Sequence, residues 1–165
     1  MERRAQVVLV SCVILVAVAL PRFALAQEAP FEITVCRAGT LNFLQQSKEA
    51  TVLSVDVAGI VSASTDKRFE NMTSRCLGVG GAVNGKRFGN GFCKYLDPDG
   101  DAVIVAYTSS ADKAGEGTWQ FVHGTSKWAG IKGDGTFKFF TRGKPIAAGT
   151  GQSCNRVTGK FALMK

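Results

Sequence analysis

Two hydrophobic patterns divide the chain. From Val7 to Leu20 nearly every residue is apolar. From residue 27 onward apolar and polar residues alternate with a period of two, and little recurs every three or four positions. Alternation of this kind turns one row of side chains to a buried face and the next to solvent, as half-buried strands do and helices do not. It predicts strands over residues 31–37, 51–63, 68–83, 86–96, 102–108, 117–123, 135–141 and 153–163, with Leu53, Val55, Val57 and Val61 sharing one face. Residues 39–50 are expected to form a loop or a short helical turn. Asp97-Pro98-Asp99-Gly100 has the composition of a turn, and residues 109–115 that of a loop. Eight strands with mostly short connections point to an all-β fold. A closed antiparallel barrel of about eight strands, which leaves no free edge, is the expected form; a two-sheet sandwich is the alternative.

The apolar run at the N-terminus has a different meaning. Glu2, Arg3 and Arg4 precede it, Pro21-Arg22 breaks it, and Ala24-Leu25-Ala26 supplies small residues at a cleavage site. This is the three-part pattern of a secretory signal peptide, and the run falls short of the roughly 20 apolar residues that cross a bilayer. Residues 1–26 are therefore expected to be removed, leaving residues 27–165 as a single secreted or periplasmic domain. Leu9-Val10-Ser11-Cys12 matches a lipobox by letter, but the apolar run continues beyond Cys12, where a lipoprotein would turn polar.

Cys36, Cys76, Cys93 and Cys154 remain after cleavage, an even number in an exported chain and hence a disulfide framework. Asn84-Gly85 is a strong signal for a two-residue type I′ hairpin. With that turn, Cys76 faces Cys93, Gly78 faces Gly91, Gly80 faces Gly89 and Phe88 faces Gly81. Cys76 then pairs with Cys93, and Cys36 with Cys154, joining the first strand to the last. Zinc is disfavoured, since no Cys-x-x-Cys spacing is present; no metal or cofactor is implied.

Net charge is +7 for the whole chain and falls to about +5 without the leader. It is unevenly spread: residues 122–165 carry eight basic residues and one acid, Asp134. Such asymmetry suggests either a solvated basic surface or an anionic partner, such as a glycan or lipid headgroup. No nucleic-acid motif accompanies it. A lysozyme-type inhibitor is disfavoured, because its targets are usually basic themselves.

Candidate chemistry is sparse. His123, the one histidine, shares by alternation a face with Trp119 and Phe121 and is expected at a barrel mouth. There it would bond to the following turn, anchor a ligand, or act as an acid or base beside an inward carboxylate such as Asp56 or Glu70. Tyr107, Trp119, Phe121, Phe137 and Phe139 fall on neighbouring strands, either as core or as the wall of a ligand pocket. Asp97, Asp99 and Asp101 resemble a calcium loop, but glycine and the twelfth position are wrong for an EF-hand. Asn71-Met72-Thr73 fits a glycosylation sequon, which matters only in a eukaryotic host.

Gly124-Thr125-Ser126-Lys127-Trp128-Ala129-Gly130-Ile131-Lys132-Gly133 resembles the glycine-rich signature of allene oxide cyclase-like and dirigent-like barrels. Gly117-Thr118-Trp119 and Gly135-Thr136-Phe137 fit the same strand–turn–strand pattern, and Ser126 departs from the usual glycine. The mature chain is also similar to small secreted bacterial proteins. The resemblance implies an eight-stranded barrel with an apolar interior and Trp128 packed over one end, adding Trp128 to the pocket candidates. It transfers no catalytic residue, because fold does not dictate function. Three functions stay open: a non-enzymatic exported barrel that binds a small apolar or amphipathic ligand or serves a structural role in the envelope, an isomerase or cyclase, and a binder of anionic surfaces through its basic C-terminal part.

Overall fold

The computed structural model describes residues 27–163; the proposed signal peptide lies outside them. Eight strands run in chain order round a closed barrel: β1 (Ala29–Gln46), β2 (Ala50–Ser64), β3 (Thr73–Val83), β4 (Lys86–Leu96), β5 (Ala102–Ser109), β6 (Glu116–Gly124), β7 (Lys132–Arg142) and β8 (Thr150–Ala162). Every neighbouring pair is antiparallel, and β8 returns to pair with β1 from Ala29↔Phe161 to Thr40↔Thr150. Closure excludes the two-sheet sandwich.

The hairpin register follows the turn. Asn84 and Gly85 both have positive φ, 49° and 76°, as a type I′ turn requires. Cys76 faces Cys93, Gly78 faces Gly91, Gly80 faces Gly89 and Gly81 faces Phe88. Both disulfides form, Cys76–Cys93 within the hairpin and Cys36–Cys154 across the β1–β8 seam. They lie on opposite faces of the wall. Cys76 and Cys93 are buried toward the interior, whereas Cys36 alternates with the inward Val35 and Arg37 and so faces out.

Two expectations need correction. Residues 39–50 are not a loop: β1 runs on to Gln46, and β2 begins at Ala50. Gly39 reads as a breaker in sequence, but here it lets two backbones approach; a Cβ at Gly39 would overlap the Asp56 backbone. The extension stands beyond the core, so Leu44 is exposed and the alternation that marks a half-buried strand is lost. The other correction concerns residues 68–72, which precede β3 and are not part of it. Asp66 accepts a bond from the Arg68 amide (3.0 Å) and starts a single 3-10 turn, Lys67–Phe69, that throws Phe69 inward.

The barrel has two unlike ends. At one, Phe31, Phe69, Trp128 and Phe161 form a buried aromatic plug: Phe31 stacks on Phe69 with centroids 4.6 Å apart, and Phe69 meets Trp128 at 5.2 Å and Phe161 at 5.1 Å. Met72 and Ile131 complete it. Each large apolar side chain buried here contributes about 1.5–3 kcal/mol. The other end carries the tight Asn84-Gly85 turn and the connections β1–β2, β5–β6 and β7–β8, and no aromatic cluster of the described residues closes it.

Loop entropy separates the two disulfides. The bridge spanning 17 residues is worth about 3 kcal/mol and the one spanning 118 about 5 kcal/mol. Replacing Cys36 and Cys154 together by serine is expected to lower the unfolding free energy in urea by about 2 kcal/mol more than replacing Cys76 and Cys93. Equal losses would show that ring size does not govern their effect.

Candidate functional site

Above the plug the barrel is hollow. A cavity of about 530 Å³ occupies this half and opens at the unplugged end. Its wall is mostly apolar. Leu53, Val55 and Val57 come from β2, Phe121 and Trp119 from β6, and Phe137 and Phe139 from β7. The Cys76–Cys93 bridge forms part of the same wall. The volume falls within the roughly 300–1,000 Å³ of small-molecule pockets.

Of the pocket candidates, Tyr107, Trp119, Phe121, Phe137 and Phe139 line this cavity. They hold one another edge to face: Trp119 and Phe121 at 4.9 Å, Phe137 and Phe139 at 5.9 Å, Tyr107 and Phe137 at 6.2 Å. The Trp119 indole N–H donates to the carbonyls of Thr136 (3.1 Å) and Thr158 (3.2 Å), which fixes its ring against the wall. The strand glycines make room for these rings. A Cβ at Gly78 or Gly91 would overlap the Tyr107 hydroxyl, and one at Gly159 would crowd the Trp119 ring. Burial pushes the Tyr107 phenol pKa up, and the Arg37 charge pulls partly the other way.

Two candidates lie elsewhere. His123 is exposed on the outer wall, at the plugged end. The cause is a bulge: Val105 pairs with Phe121 but Ile104 with His123, so Val122 is the extra residue. It reverses the alternation, and Gly124 takes the inward place that His123 would have had. Trp128 is buried in the plug, not in the cavity wall. Asp56 pairs with Arg75 at 2.7 Å, and Glu70 is exposed; neither lines the cavity, and neither shares a pocket with His123. The geometric condition for an acid–base pair at His123 is not met.

The aspartates resembling a calcium loop act as a staple. Asp97 Oδ1 accepts the backbone N–H groups of Asp99 (2.9 Å) and Asp101 (3.0 Å). Its Oδ2 accepts the Trp128 indole N–H (2.8 Å) and pairs with Lys127 (2.9 Å). Burial alone would raise the Asp97 pKa, but these donors outweigh it and hold it at about 2. The staple fixes Trp128 in the plug.

Sequence reading missed the polar group of the cavity. Arg37 follows Phe31, Ile33 and Val35 on the inward face of β1 and reaches into the lumen. Its Nε donates to Ser74 Oγ (3.0 Å), one Nη to Asn155 Oδ1 (2.9 Å) and the other to the Tyr95 hydroxyl (2.6 Å). The signal was present: a basic residue in phase with an apolar row.

Folding gives four of the C-terminal basic residues a carboxylate partner. Lys127 pairs with Asp97 and Asp99, Lys138 with Glu116, Arg156 with Glu32 and Lys160 with Glu28.

No protein-family profile matches the chain, and no curated protein matches it. Among solved structures, two pterocarpan synthase dirigent proteins are similar in fold. GePTS1 superposes with a TM-score of 0.53 at 11% identity, over 84% of this chain and 88% of that one. PsPTS1 superposes with a TM-score of 0.53 at 12% identity, over 84% of this chain and 99% of that one. The chain thus shares the barrel of dirigent proteins, in line with the resemblance carried by its glycine-rich segment.

A folded pKa of about 2 against 3.8 means that Asp97 contributes stability above pH 4 and loses it as pH falls through 2. The contribution is about 2 kcal/mol. Asp97→Asn is therefore expected to be less stable than wild type near pH 6, with the gap shrinking by about 2 kcal/mol by pH 2 in urea melts. A gap independent of pH would show that the Asp97 charge is not what holds Trp128.

Proposed function

We propose that this protein is an exported barrel, without catalytic machinery of its own, that takes a small apolar or amphipathic molecule into its lumen. The observation that carries the reading is the half-hollow barrel: aromatic residues plug one end, and the same residue type lines an open cavity of about 530 Å³ in the rest. A barrel serving only as a scaffold gains by filling its interior, because each lost core contact costs stability. The fold shared with dirigent proteins fits a ligand-binding barrel. Two cross-strand disulfides suit an oxidising compartment, as does the leader pattern at residues 1–26. Among the described residues no helix is long and apolar enough to cross a membrane.

The test uses the neutral fluorophore N-phenyl-1-naphthylamine. Its emission is expected to rise and saturate at one equivalent of protein. Val55→Trp, which fills the lumen, should weaken binding by roughly tenfold or more while the melting temperature stays within a few degrees. Native mass spectrometry of protein purified from its own host should show a retained small molecule. No saturable probe binding and no retained molecule together would remove the reading.

A further inference from the structure

We propose that the lumen is selective for amphipathic anions: an apolar body carrying one carboxylate, with the carboxylate held by Arg37. This rests on the lumen being a binding site and specifies the ligand class.

Arg37 is an uncommon group to find inside an apolar barrel. Placing a cation among apolar walls is costly unless an opposite charge and hydrogen bonds compensate it. Elsewhere on this protein arginines meet that requirement at the outer surface: Arg68 pairs with Asp66, Arg75 with Asp56, and Arg156 with Glu32. Arg37 has three hydrogen bonds, all to neutral groups, and no carboxylate partner among the described residues. Among the described residues no aspartate or glutamate lines the cavity, and the charged ones that do are Arg37, Arg87 and Arg142. The acidic partners of Arg68, Arg75 and Arg156 have no counterpart, among the described residues, for the arginines that line the cavity.

The guanidinium is also held in place. Ser74, Tyr95 and Asn155 are each at least nine-tenths buried and come from three strands, β3, β4 and β8. They engage three of its five N–H donors, leaving two. A planar fork with free donors on a fixed mount suits a carboxylate, and the fixing lowers the ordering cost of binding. On the inward face of β1 Arg37 lies between Phe31, Ile33 and Val35 toward the plug and Leu41 toward the mouth, and its partners Ser74 and Tyr95 stand at the plug-side ends of β3 and β4, so an anion there sits deep. The ligand body then extends toward the mouth between Leu53 and Val55 on one side and Phe137 and Phe139 on the other. At that mouth Arg142 lies over the Phe139 ring at 4.6 Å and adds to a positive field that draws anions in.

The experiment compares two ligands of matched length, dodecanoate and 1-dodecanol, as displacers of N-phenyl-1-naphthylamine near neutral pH. Dodecanoate is expected to bind roughly tenfold or more tightly than the alcohol, and to keep most of that preference in high salt. Arg37→Met should abolish the preference by weakening the acid alone. Arg37→Lys, which keeps the charge and loses the fork, should retain part of it, and serves where the methionine variant fails to fold. If the wild type binds acid and alcohol equally, the lumen binds but Arg37 is only a strut between strands, and the inference falls. A preference that disappears in salt assigns it to surface charge and also overturns it. Absence of binding by the fluorophore and both displacers removes the lumen reading itself.

Discussion

Closure of the sheet is the constraint from which the rest follows. β1 pairs along its first two-thirds with β8 and along most of its length with β2, so every strand has a neighbour on both sides of it around the ring. The Cys36–Cys154 bridge crosses the seam between the first and last strands, the one contact in the ring between strands distant in sequence. That seam brings Asn155 of β8 to Arg37 of β1 and creates an interior at all.

The interior is divided by side-chain size. Phenylalanine and tryptophan crowd the end where two short 3-10 turns deliver Phe69 and Trp128, and the space there is filled. Toward the other end the wall alternates rings with glycines. The Tyr107 hydroxyl lies against Gly78 and Gly91, and the Trp119 ring against Gly159, in space that a Cβ would fill. The hairpin glycines thus shape the lumen by yielding space to a side chain from the neighbouring strand. The plug is secured from outside by Asp97, whose four donors tie together the β4–β5 turn and the segment holding Trp128.

Charge is rearranged in the same way. Along the chain the acids come early and the bases late, which invites a basic-face reading. Around a barrel the late strands lie beside early or acidic ones: β8 on β1, and β7 on β6. Glu28, Glu32 and Glu116 thereby meet Lys160, Arg156 and Lys138. The positive charge left without a carboxylate partner includes Arg37, inside the lumen.

Local pattern alone determined the eight strands, the Asn84-Gly85 turn, the register through Cys76 and Cys93, and hence both disulfides. The strands, the turn and the Cys76–Cys93 register depend on spacing of two along one strand or across one turn, which sequence displays directly, and Cys36–Cys154 is then the pair that remains. The same alternation put Tyr107, Trp119, Phe121, Phe137 and Phe139 on inward faces, where they line the cavity. His123 was misplaced because one extra residue, Val122, inverts the facing of the last residues of β6, and a bulge is set by the partner strand. Whether the interior was filled or hollow, which end was plugged, and which polar groups gathered round Arg37 were decided only by closure. These depend on distances across the barrel between strands far apart in the chain, and no periodicity along a strand encodes them.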